Sequence, residues 1–381
     1  MSVRVMISCG EASGDLYAGA LASELRTIDP AITITGFGGE RLRGAGATLV
    51  GDYRGLTVTG LAEALKVLPR SYAMYRRLLA SAREQRPDVL VAIDFPDFNF
   101  RLARAMRRLG IPVVYYVSPQ LWAWRSGRMK TMRAIASHVL VIFPFEEPIY
   151  REAGVPVTFV GHPLLDLIPP PGDRSAFLSG LGLRADRRTV ALLPGSRPNE
   201  LKQILPTLVR AASSLAARGD LQFLLARAPN LDDELFAPLG HSRVPIAIVE
   251  GRTDDVLASA DLVIAASGTA TVQAAIHECP MVIVYRLSPL TYRLGKRFVT
   301  VDTYGMVNLI ADRKVAPELI QEGFTVDAVV SQVTDLLDKP QLYAAAKQAL
   351  HEVRGRLGAC GASRRAAEAV LNAARGPAVL R

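Results

Sequence analysis

The sequence predicts an α/β protein of two doubly wound parallel sheets, and three patterns carry that prediction. Short runs rich in Val, Ile and Leu recur from Val3 to Tyr285, as strands buried on both faces do. Most of these runs stop at small or polar residues and pass straight into helical periodicity, so strand–loop–helix is the repeating unit. A proline patch, Pro169 to Pro171 with Gly172, separates two sets of these units and reads as a linker. Residues 1–168 then form one domain and 172–355 a second, with the carboxyl edges of the two sheets expected to face each other across a cleft. From Phe324 onward the pattern is purely helical, broken at Gly358-Ala359-Cys360-Gly361.

Composition narrows the function. Half of the 381 residues are hydrophobic, enough for sizeable cores, which excludes low-complexity disorder. A net charge of +9 points to anionic partners, either phosphates or an anionic membrane surface, unless it is background composition alone. Nucleic acid is disfavoured because aromatic residues suited to base stacking are sparse. Cys9, Cys279 and Cys360 lie far apart and read as reduced thiols of a cytoplasmic protein. No Cys/His spacing suggests zinc. Arg4 interrupts the first apolar run and Glu11 and Asp15 follow, so no secretory signal is expected. No uncharged apolar stretch of about 18 residues occurs, so any membrane contact is peripheral.

In order, the first strand is Val3 to Ser8, ending at Cys9-Gly10-Glu11-Ala12-Ser13-Gly14-Asp15 before a helix from Leu16 to Arg26. Glu11, Ser13 and Asp15 sit at the edge where open α/β sheets bind ligands, although Ser13 or Asp15 also suits a helix cap. A second strand covers Ala31 to Phe37. Gly60 to Arg86 is helical, expected to be interrupted at Pro69, and basic: Lys66, Arg70, Arg76, Arg77, Arg83 and Arg86 dominate it. Such a segment either lies on anionic lipid or packs on its own sheet. Asp88 to Ile93 is a strand with Asp94 and Asp97 at its end. Asp94 is assigned to chemistry and Asp97 to helix capping. From Phe98 to Phe145 no Asp or Glu occurs, while Arg101, Arg104, Arg107, Arg108, Arg125, Arg128, Lys130 and Arg133 do. Strands at Pro112 to Val117, Val139 to Phe143 and Thr158 to Val160 lead to Ser118-Pro119, Pro144-Phe145-Glu146 and Gly161-His162-Pro163.

In the second half, strands are expected at 189–193, 221–225, 245–249, 261–265 and 280–285, with helices at 198–218, 252–259 and 270–278. Two of the turns suit anions. Pro194-Gly195-Ser196-Arg197, with Glu200 behind it, offers a guanidinium. Ser267-Gly268-Thr269-Ala270-Thr271 opens a helix with free N–H groups, a positive dipole end and small residues that admit a phosphate, or is an ordinary strand-to-helix turn.

These segments resemble one family. GEASGD (10–15), IDFPDFN (93–99), YYVSPQLWAWR (115–125), FPFE (143–146), GHPL (161–164), LLPGSR (192–197), SGTAT (267–271), PMVIVYR (280–286) and ELIQE (318–322) occur in this order, as in the lipid-A-disaccharide synthases. The resemblance implies the GT-B fold, with residues 356–381 crossing back to the first domain; a C-terminal swap in a homodimer is left open. It implies that UDP-2,3-diacylglucosamine is joined to 2,3-diacylglucosamine 1-phosphate, releasing UDP and giving a β(1→6) disaccharide 1-phosphate. It further implies work on the cytoplasmic face of the inner membrane, with no metal and no cofactor.

An α-linked donor and a β-linked product mean inversion in one displacement. Asp94 is the expected base, with Glu11 and Asn99 positioning it or the acceptor. Arg197, Ser196, Glu200 and the turn from Ser267 to Thr271 are expected on the UDP donor, and His162 either there or in a structural hydrogen bond. Ser13, Trp122, Trp124 and Arg125 are assigned to the acceptor and its acyl chains, unless the tryptophans only pack between domains. Gln273 stands where GT-B enzymes usually carry a ribose-binding glutamate. A 2-epimerase of UDP-N-acetylglucosamine on the same fold is the alternative, and a non-catalytic module binding anionic lipid a third reading.

Overall fold

In the computed structural model of the chain, residues 2–54, 61–119, 121, 126–229, 231–287 and 304–376 are described, those at 61–66 and 126 by backbone only. Trp122, Trp124 and Arg125 lie outside the described residues. The chain forms two compact units. Unit one comprises Met1–Leu167 with Leu357–Arg381, and unit two Ile168–Arg356.

Unit one is built on a seven-stranded, all-parallel sheet. Its strands are β1 (Arg4–Cys9), β2 (Thr33–Gly38), β3 (Thr48–Asp52), β4 (Val89–Ile93), β5 (Val113–Tyr116), β6 (His138–Val141) and β7 (Val157–Phe159). They lie in the order β3-β2-β1-β4-β5-β6-β7, with β1 and β4 paired from Val5↔Val89 to Cys9↔Ile93. The winding of the sheet therefore reverses between β1 and β4, the place where open α/β sheets bind ligands beyond the carboxyl ends of their strands. Strand β4 is apolar and buried throughout, as a central parallel strand must be.

Unit two repeats the design with six strands: β8 (Arg188–Leu193), β9 (Leu221–Arg227), β10 (Ile246–Glu250), β11 (Leu262–Ala266), β12 (Met281–Tyr285) and β13 (Glu318–Ile320). Their order is β10-β9-β8-β11-β12-β13, so the reversal falls between β8 and β11. Strands β3 and β13 have no counterpart in the sequence reading. Each is a short edge strand without a fully buried residue, so neither shows the apolar run that marks the others.

Several local expectations are corrected. The first helix begins at Ala12, not Leu16. The helix Leu61–Gln85 runs through Pro69 unbroken, held by Met74, Leu78 and Ala82 in the core, which offsets a penalty of about 3 kcal/mol. Asp97 is not the cap of Pro96–Arg108. Phe95 occupies that position, and the Asp97 carboxylate accepts from Arg128 Nη2 at 2.7 Å. Asp15 does cap, but a different helix. Its carboxylate, 2% exposed, accepts from the N–H groups of Gly39, Arg41 and Leu42 at the start of Glu40–Gly44.

The last helix, Ala362–Arg375, belongs to unit one and buries Ala362, Ala366, Ala367, Val370 and Leu371 there. Asp166 accepts from the N–H groups of Gly361 and Ser363 at that helix's start. Arg365 donates to the carbonyls of Val160, Ala359 and Cys360.

Candidate active site

The reversal point of unit one gathers Glu11 and Asp94. Glu11 follows β1 and occupies the N-cap position of the 17-residue helix Ala12–Ile28, with Ser13 in its first turn. Asp94 follows β4. Asp94 and Phe95 both take left-handed backbone angles, φ 42° and 48°, and Val117 after β5 does too, at 56°. For a β-branched valine this is a true outlier, and residues held this way cluster at working sites at about 1–3 kcal/mol each. Gly10 makes the turn possible: a Cβ there would fall 2.3 Å from the Phe95 ring.

What holds the strained turn is visible. The Asp94 carbonyl accepts from Asn99 Nδ2 at 2.8 Å and from the Tyr115 hydroxyl at 2.7 Å. Asn99 is fully buried and also donates to the carbonyls of Ser8 and Ile93, while its Oδ1 accepts from Ser8 Oγ at 2.7 Å. It ties the ends of β1 and β4 together and holds the Asp94 backbone, which is the contact of a positioning residue. The Asp94 carboxylate itself is half-buried and lies close enough to Tyr17 to help burial raise that phenol's pKa above its ordinary value.

His162 makes the hydrogen bond that its structural alternative calls for. It is 1% exposed, its Nδ1 accepts from the Leu164 N–H at 3.2 Å, and burial pushes its pKa down to about 3. The ring is neutral and packs edge-on to Tyr17.

In unit two the two anion turns follow β8 and β11, the strands that flank its reversal point. Arg197 begins the helix Pro198–Ala216 with its side chain 45% exposed. Glu200 is committed locally: Oε2 accepts from the N–H groups of Ser196 and Arg197 at 3.0 and 3.3 Å. Those two N–H groups are therefore taken and Glu200 acts here as a cap, so what the turn can offer an anion is the Arg197 guanidinium, whose Nη1 lies 3.6 Å from Glu200 Oε1.

The second turn is the open one. Gly268 caps the helix Thr269–Ile276, and a Cβ there would meet no described residue within 4 Å. Ser267 N–H is taken by the Val284 carbonyl at 3.0 Å and its Oγ donates to the Tyr304 carbonyl. Thr271 is fully buried, with Oγ1 donating to the Gly268 carbonyl at 2.8 Å. The cradle is thus narrower than the sequence suggests: the N–H groups of Gly268, Thr269 and Ala270, for which no partner occurs among the described residues, at the positive end of a helix. Behind it, Glu318 accepts from the N–H groups of Tyr304 and Gly305 and from Asn308 Nδ2. This bracing, like Tyr17 in unit one, carries no motif of its own; only three-dimensional proximity reveals it.

Comparison with known proteins decides the family. The family model described as "Lipid-A-disaccharide synthetase" matches residues 5–372. The chain is 42% identical over 370 residues to the lipid-A-disaccharide synthase of Myxococcus xanthus, covering 97% of each chain. It is 43% identical over 375 residues to that of Anaeromyxobacter sp. (strain K), covering 98% of each.

The chain belongs to the lipid-A-disaccharide synthase family.

It is accordingly an enzyme, a glycosyltransferase that forms a disaccharide. Solved structures agree on fold. A UDP-N-acetylglucosamine 2-epimerase from Neisseria meningitidis bound to UDP-GlcNAc matches with TM-score 0.67 at 12% identity, covering 97% of this chain and 100% of that one. MurG from Acinetobacter baumannii matches with TM-score 0.58 at 15% identity, covering 97% and 99%. At such identities the likeness establishes the GT-B-like architecture alone, so the epimerase alternative has only this architecture behind it. Within the lipid-A-disaccharide synthase family assignment, the anticipated residues form two sets. Glu11, Ser13 and Asp94 follow the two strands that flank the reversal of the first sheet, and Arg197 and the Gly268–Ala270 turn those that flank the reversal of the second.

Proposed function

We propose that the chain joins UDP-2,3-diacylglucosamine to 2,3-diacylglucosamine 1-phosphate by a single inverting displacement. The observation that carries this reading is the complementary chemistry of the two reversal points: a carboxylate held on a strained turn in one unit, and open N–H groups with a guanidinium in the other. Asp94 takes the proton from the acceptor's 6-hydroxyl as the sugar–oxygen bond forms, and the bond to UDP breaks with its electron pair leaving on the diphosphate. Arg197 and the donors at Gly268, Thr269 and Ala270 stabilise the negative charge that develops there.

The same reading places the enzyme peripherally on the cytoplasmic face of the inner membrane, as a monomer or homodimer. No helix of the described residues is long and apolar enough to cross a membrane. The helix Leu61–Gln85 instead exposes Leu68 and Tyr72, the latter 62% accessible, beside Arg70, Arg76 and Arg77. Such a face suits an anionic lipid surface.

Asp94→Asn is the sharpest test, because asparagine tolerates the left-handed backbone that alanine resists. Turnover with both diacyl sugars should fall by roughly 100- to 10,000-fold while UDP affinity stays within about twofold. Lost UDP binding, or UDP release that does not depend on the acceptor, would overturn the assignment.

A further inference from the structure

Gln273 stands at a position where a charged ribose acceptor is expected, yet it carries no charge. The charge lies one contact away. Asp254, in the first turn of the helix Thr253–Ser259, accepts at Oδ1 from Gln273 Nε2 at 3.3 Å and lies 3.1 Å from His277 Nε2. Gln273 and His277 are four residues apart and share one helix face. The His277 side chain is only 7% exposed and meets the same carboxylate oxygen.

A carboxylate accepts and never donates, so Asp254 fixes which way the Gln273 amide faces: NH2 toward Asp254, carbonyl away from it. We infer that Asp254 is a positioning residue for nucleotide binding, locking the Gln273 carbonyl as the acceptor for the ribose hydroxyls. This rests on the nucleotide reading of the turn that precedes Gln273. The carbonyl has two lone pairs, enough for a vicinal diol, and the neighbouring negative charge polarises the amide and strengthens it as an acceptor.

The geometry also accounts for the missing glutamate. A carboxylate at position 273 would sit at hydrogen-bond distance from the Asp254 carboxylate, and two like charges so close cannot both stay ionised. Glutamine and Asp254 are therefore alternatives to a lone glutamate: the charge is moved one contact back, and the ligand meets a neutral amide that the charge orients.

The test is isothermal titration of the full-length chain with UDP and 2′-deoxy-UDP. The wild type should prefer UDP by about tenfold. Asp254→Ala should weaken UDP by about tenfold and bind both nucleotides alike. Gln273→Glu alone should also lose most UDP affinity, whereas Gln273→Glu with Asp254→Asn should recover it, because asparagine then donates to the new carboxylate. A merely structural role would lower the melting temperature without changing the UDP to 2′-deoxy-UDP ratio. Should Asp254→Ala fail to fold, the paired variant carries the test. The inference is overturned if Asp254→Ala keeps the discrimination, or if Gln273→Glu binds UDP as well as wild type. A wild type that binds both nucleotides equally removes this inference alone. A wild type that binds neither removes the nucleotide reading and this inference with it.

Discussion

Gly268 holds the turn after β11 at φ 149° and ψ −158°, a region that residues with side chains essentially do not enter. No described residue obstructs a Cβ there, so Gly268→Ala should cost mainly backbone strain, about 1–3 kcal/mol, and re-aim the three N–H groups beside it. UDP affinity by titration should drop about tenfold, with the fold retained. The turn itself was legible in the sequence, because small residues directly after a buried apolar run mark a strand-to-helix junction; its use for a phosphate was one of two readings. The place of Asp94 was legible for a similar reason, as the carboxylate that follows a buried apolar strand. The local partners of Glu200, Asn99 and Thr271 were not, although a positioning part for Asn99 was among the expectations. Each is a residue type that both binds ligands and caps backbone, and only the observed partners separate the two uses. Asp254 was invisible for a deeper reason, since its partner Gln273 is reached through space from another helix.

Two buried groups show how elements are fastened. Asp15 joins the first helix to the start of Glu40–Gly44 through three backbone donors. Asp15→Ala leaves those donors unpaired and should destabilise the protein by about 3 kcal/mol in denaturant unfolding. His162 ties the loop after β7 to the core and stays neutral until the pH falls to about 3, against an ordinary value of 6.5. Between those values the unfolded chain binds more protons than the folded one. Stability should therefore fall on acidification through that window, with a slope approaching about 1.4 kcal/mol per pH unit. In His162→Gln the same titration should be flatter by that amount. Strands and helices of this kind were largely legible from apolar runs and turn residues. The misses fell where that signal weakens: edge strands β3 and β13, and a helix start made of Ala12, Ser13, Gly14 and Asp15, which favour loops as readily as helix.

At the scale of the molecule, the last segment completes the first unit. Leu357 is fully buried, as are Ala366, Ala367 and Val370. Removing residues 357–381 should strip protection from hydrogen exchange across residues 4–167 while leaving 188–356 nearly unchanged, as mass spectrometry of the exchanged amides would read out. The two-sheet plan itself was legible because central parallel strands must be apolar on both faces, and the repetition of that pattern announces a second sheet. The interrupted layout bears on biogenesis. A ribosome delivers the whole of unit two before it delivers the stretch that seals unit one. The usual order, in which the amino-terminal part folds first, is thereby inverted: the nascent sheet of unit one waits with its flank uncovered until residues from Leu357 onward emerge. Chaperone occupancy on stalled chains should accordingly persist on the early-made half after the later-made half has become protease-resistant.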